Sequence, residues 1–97
     1  MSIATSSHCS NIQELNLKQN QVGNDGIRVL TVGSLHKLRS LNVNQNQIDD
    51  MGYRFLADCE VMNLLTDLCI YEGNPASNEA KNLLRRSKKL CSLRYIS

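Results

Sequence analysis

Seven positions of this chain recur under one fixed shift. Ile12, Leu15, Leu17, Asn20, Val22, Gly26 and Leu30 reappear 26 residues on as Leu38, Leu41, Val43, Asn46, Ile48, Gly52 and Leu56. Matched spacing of aliphatic, asparagine and glycine positions marks an internal repeat, not a bias of composition. A unit of this length is one supersecondary element that cannot bury its apolar side alone. Copies must therefore stack side by side into a solenoid. That constraint decides most of what the chain can fold into and little of what it does.

Inside the first unit, Gln13 to Lys18 alternates polar and apolar residues, the period of a strand with one buried face. Leu15 and Leu17 point inward, and Glu14, Asn16 and Lys18 point outward. The turn signal at 23–26 leads into a helix over about Asp25 to Ser34, capped by Asn24 or Asp25 and ended at Gly33. Ile27 and Leu30 face inward, with Val29 or Leu35. The second unit repeats the grammar. Its strand is Ser40 to Asn44, and Asp49 or Asp50 caps a helix to about Cys59. Phe55 and Leu56 form the apolar side of that helix, with Tyr53 nearer the surface.

A third unit opens at Leu65, with Leu68 and Ile70 inward. Gly73 occupies the asparagine slot and Asn74 follows, which implies a one-residue insertion near Gly73. Counting from Asn74, Ala76, Ala80 and Leu84 stand where Ile48, Gly52 and Leu56 stood. Ser77 or Asn78 caps a helix to about Lys88, with Leu83 and Leu84 inward. Leu90, Leu93 and Tyr95 then reproduce the spacing of Leu65, Leu68 and Ile70 as a further strand, with no polar capping unit visible beyond it. The units are 12–37, 38–64 and 65–89, with a terminal strand at 90–97. Residues 1–11 are either a tail or the helical remnant of a preceding unit.

These residues resemble the leucine-rich repeat family, whose consensus is LxxLxLxxN followed by another apolar position. The extension to a glycine and a leucine is similar to the long, ribonuclease-inhibitor-like subclass. The resemblance implies an α/β solenoid, a horseshoe segment with parallel strands on the concave face and helices on the convex face. It also implies that Asn20, Asn46 and Asn74 are structural, satisfying backbone groups that would otherwise be buried unpaired.

Function in a solenoid sits on the outward strand residues, which line up in columns on the concave side. The first column is Glu14, Ser40, Asp67 and Ser92. The central one is Asn16, Asn42, Cys69 and Arg94, and the third is Lys18, Asn44, Tyr71 and Ile96. Tyr71 and Arg94 are the residue types that most often anchor interfaces. The expectation is a protein-interaction module that binds a protein partner on this face. One alternative is a structural piece of a longer array with no ligand of its own, open to self-stacking through apolar ends. The subclass also includes Ran GTPase-activating proteins, a further reading that no residue here singles out.

Composition closes other classes. The net charge of +2 is too small to imply nucleic acid or membrane binding by itself. No apolar run approaches the roughly 20 residues of a membrane span. The cations Arg85, Arg86, Lys88 and Lys89 read as the solvated last turn of a helix, where positive charge suits the dipole. An import signal or polyanion patch is the rival, but no aromatics interleave with them. Cys9, Cys59, Cys69 and Cys91 contain no CxxC, so no metal site is expected. They would form two disulfides in a secreted chain. The start MSIATSSHCS lacks a basic-then-apolar leader, so free thiols in the cytoplasm are expected. His8 and His36 join no nucleophile and base, and no cofactor motif is present, so the chain is not expected to be an enzyme.

Overall fold

The structure, a computed structural model, describes residues 12–33 and 35–97. Both readings of the segment before Ile12 lie outside them. Strands and helices alternate: β1 (Glu14–Asn16), α1 (Gly23–Thr31), β2 (Ser40–Asn42), α2 (Asp50–Ala57), β3 (Asp67–Cys69), α3 (Asn78–Arg85) and β4 (Tyr95–Ile96). The strands form one parallel sheet in the order β1-β2-β3-β4. α1 packs on α2 and α2 on α3 along the other side. Between the two layers lies a single core that includes Ile27, Leu30, Leu41, Val43, Ile48, Leu56, Leu68, Ile70 and Leu84. The α/β leucine-rich-repeat solenoid expected from the spacing is the fold observed.

Two ladders of side-chain hydrogen bonds tie the coils together, and they run in opposite directions. On the loop side, Asn46 and Asn74 each serve the coil before their own. Asn46 Oδ1 accepts from the amide of Val22, and its Nδ2 donates to the carbonyls of Leu17 and Asn44. Asn74 Oδ1 accepts from the amides of Asn46 and Ile48, and its Nδ2 donates to Val43 and Ile70. On the helix side, an earlier residue serves the helix after it. Asn24 does not cap α1, which has no side-chain cap. Its Oδ1 instead accepts from the amides of Asp49 and Gly52 at the start of α2. Asp50, one repeat later, accepts from the amide and hydroxyl of Ser77, both at 2.8 Å. Ser77 and Asp49 then cap their own helices, α3 and α2.

The bonds from Ser77 hold the Asp50 carboxyl below its ordinary pKa of 3.8. A lowered folded-state value means that its contribution to stability is complete above 3.8 and lost as pH falls through the lower value. The gap in urea midpoint between the protein and its Asp50→Asn variant should therefore close as pH drops below about 4. A gap independent of pH would show that the carboxylate is not what holds Ser77.

Several expectations are corrected. Tyr53 is not near the surface: its exposure is 0%, and its hydroxyl donates to the carbonyl of Ile70 in the next coil. Burial drives its pKa up to about 12. Leu83 is 44% exposed, not inward.

The insertion in the third coil is Tyr71 rather than a residue at Gly73. Gln19 donates its amide to Asn44, and Gln45 to Glu72, so Glu72 is the counterpart of Asn44. Gln19, Gln45 and Gly73 share a left-handed backbone, with φ of 61°, 58° and 68°. The extra residue falls between Ile70 and Glu72, and the amides of Ile70 and Tyr71 both point at the Ser97 carbonyl, two residues facing one as in a bulge. Glycine at 73 answers a close approach as well as its φ: a Cβ there would lie 2.8 Å from Gln45 Cα.

The bulge turns Tyr71 out of the strand's alternation. Its ring stacks on Tyr53 at 6.4 Å and 6°. Lys81 Nζ and Arg85 Cζ sit over it at 5.2 and 5.7 Å, and Arg85 Nε donates to its hydroxyl. Lys81 and Arg85 hold the positions of Tyr53 and Ala57 one repeat earlier, both buried. On the helix side of the third coil the core is thus covered by an aromatic ring and two cations.

Candidate protein-binding face

Strand pairing fixes the concave columns. Glu14 pairs with Ser40 and Asn16 with Asn42. Ser40 pairs with Asp67 and Asn42 with Cys69. Eight of the eleven expected site residues lie at outward strand positions or just beyond them; Tyr71 leaves the face. Its ring packs toward α3, and Glu72 completes the column of Lys18 and Asn44.

The fourth strand shifts the other expectations. Asp67 pairs with Tyr95 and Leu68 with Ile96. The amide of Leu93 donates to Leu90, as Leu38 does to Leu35 and Leu65 to Met62. The fourth coil is therefore phased from Leu93, not Leu90. Ser92 and Arg94 precede the strand and are not on the face, and Ile96 faces inward. Tyr95 and Ser97 take their places in the first and central columns. Tyr95 is 67% exposed, the large apolar side chain that the face presents. Aligning Leu93 and Ile96 with Leu65 and Leu68, which share the same spacing, would have located it.

The face is shaped by its own amides. Asn16 Oδ1 accepts from the amide of Lys18, Asn42 Oδ1 from that of Asn44, and Asn44 Oδ1 from that of Glu72. The first two, each spanning two residues, turn the chain out of its strand, and the third, spanning 28, ties the second coil to the third. Gln45 Nε2 donates to Glu72 across the coil boundary, and the Ser97 hydroxyl donates to the sulfur of Cys69. Among the described residues, the side chains of Glu14, Ser40 and Asp67 make no such bonds, and they share one column with Tyr95. The surface is rigid, mostly polar and able to donate and accept hydrogen bonds.

The Leucine Rich repeat family model matches residues 8–30 and 34–57. Both segments are similar to leucine-rich repeats. The match ends before β3, where Tyr71 is inserted and Ala76 and Ala80 replace the β-branched residue and glycine, yet the same coil continues through both. Leucine-rich repeats are in general non-enzymatic protein-binding modules. No curated protein matches the chain. Among the described residues, no group of three or more His, Cys, Asp or Glu side chains could hold a metal ion. Among the same residues, no helix is long and apolar enough to cross a membrane. Cys59, Cys69 and Cys91 are free thiols, and burial pushes that of Cys59 up in pKa.

Proposed function

We propose that the chain binds a protein partner on its concave face, through Glu14, Ser40, Asp67 and Tyr95 flanked by the asparagine column. The observation that carries this reading is the first column, where two carboxylates, a hydroxyl and an exposed tyrosine ring stand on paired strands without side-chain partners among the described residues. Solenoids present surfaces of this kind to proteins, and a pre-ordered face lowers the entropy lost on binding. The eight- and nine-residue helices in each coil favour the ribonuclease-inhibitor-like subclass.

The test begins with a partner identified by affinity capture and then purified. Ser40→Arg with Asp67→Arg places two long cations at the centre of the face, where neither native side chain holds the fold. Affinity for the purified partner should fall by about tenfold or more, roughly 1.4 kcal/mol, with the urea midpoint unchanged. Undiminished affinity would remove the concave face as the site and leave the structural-spacer reading in its place.

A further inference from the structure

Beyond the concave face, one surface has a chemistry of its own. A depression of about 400 Å³ lies at the β4 side of the stack. Leu84 and Leu90 floor it, Leu93 and Ile96 wall it, and Arg85 and Arg94 line it, with no carboxylate among the lining residues. Arg85 is held in place by its bond to the Tyr71 hydroxyl, and Lys81 lies over the same ring.

The earlier repeats show what covering this side would involve. In the first two coils the positions of Lys81 and Arg85 are held by Ile27 and Thr31, then Tyr53 and Ala57, all buried. A further helical coil stacked in the same way would bury two cations, which is costly unless carboxylates meet them. The sheet half is different. The amides of Tyr95 and Ser97 donate to Thr66 and Leu68, so strand alternation turns the N–H and C=O of Ile96 away from β3. Each earlier coil also offers one carbonyl, that of Gln13, Arg39 or Thr66, to two amides of the next. The carbonyl of Arg94 occupies that place in the fourth.

We propose that this side takes an extended acidic segment of a protein partner, added as a strand on β4, with its carboxylates on Arg85 and Arg94 and an apolar side chain in the depression. Main-chain bonds to an exposed edge give affinity, and alternate side chains give specificity. The two cations on the helix half make a helical occupant costly unless it brings carboxylates to them, and the guanidinium-lined, carboxylate-free depression selects acid.

The experiment uses the full 97-residue chain and a fluorescent probe of roughly nine residues, a common strand length, alternating valine with aspartate and glutamate. Anisotropy should report binding that weakens about tenfold or more with Arg94→Glu, and to a similar extent with Arg85→Gln. The Ser40→Arg/Asp67→Arg variant should bind the probe normally, which separates this site from the concave face. Exchange of the Ile96 amide should slow on binding, and a probe N-methylated at alternate residues should not bind. Equal binding of a lysine-for-acid probe would overturn the proposal, as would full competition by a DNA oligonucleotide or an Ile96 amide left unprotected. Concentration-dependent self-association blocked by Arg94→Glu would assign the surface to a second copy instead.

Discussion

Replacing Asn74 with alanine should destabilise the fold by about 3–5 kcal/mol, read as a fall in urea midpoint followed by circular dichroism. The side chain is buried and makes four hydrogen bonds to main chain in two coils. Its loss leaves the buried amides of Asn46 and Ile48 without an acceptor and the carbonyl of Val43 without that donor. The carbonyl of Ile70 keeps the Tyr53 hydroxyl, which is why the expected cost is less than four full desolvation penalties. Against a total stability of roughly 5–15 kcal/mol for a domain, such a loss leaves little margin. Asn20 supplies the control. It occupies the same repeat position, at an exposed site, and among the described residues it bonds only the carbonyls of Leu17 and Lys18 in its own coil. Asn20→Ala should cost less than about 1 kcal/mol. Equal costs for the two would mean that satisfying the neighbouring coil is not what the asparagine contributes.

Gly52→Ala should cost about 2–3 kcal/mol, although alanine in an unobstructed helix would stabilise by up to about 1 kcal/mol. A Cβ there would meet Ile48 Cγ2 at 2.3 Å and Asn24 Oδ1 at 2.6 Å. Asn24 cannot retreat, because that oxygen holds the amides of Asp49 and Gly52. Ile48→Ala alone removes a fully buried side chain and should cost about 2–4 kcal/mol. The third coil carries alanine at both equivalent positions, Ala76 and Ala80, trading a methyl on the helix for a smaller loop residue. The double variant Ile48→Ala/Gly52→Ala should accordingly lose about 1–2 kcal/mol less than the sum of the singles. Strict additivity in chemical denaturation would refute the compensation.

That pair also shows why the sequence was only partly legible. The repeat positions of the first two coils name the buried residues directly, because each is fixed by contact with its counterpart in the next coil. In the third coil, Ala76 and Ala80 look like two separate departures, and their joint meaning appears only when the two side chains are seen to share one space. The fourth strand misleads for a different reason. An apolar residue precedes every unit by three positions (Leu35, Met62, Leu90), so the spacing LxxL occurs twice in a row and Leu90 can pose as a start. Pairing with β3 breaks that degeneracy, and it moves Ser92 and Arg94 off the candidate face while bringing Tyr95 onto it. Tyr71 was singled out for its chemistry, but a bulge redirects a side chain without leaving any mark in residue type. The capping of α2 by Asn24 was invisible because the bond spans 25 residues and serves a helix other than its own.

The opposed ladders bear on how such a chain comes to be folded as it is made. A coil leaving the ribosome carries loop amides whose acceptor, the next asparagine, has not yet been synthesised. The helix that follows needs a carboxamide or carboxylate from the coil already made. Neither neighbour is complete without the other, so consolidation trails synthesis by about one repeat length, and the nascent chain holds an unfinished unit at its growing end throughout.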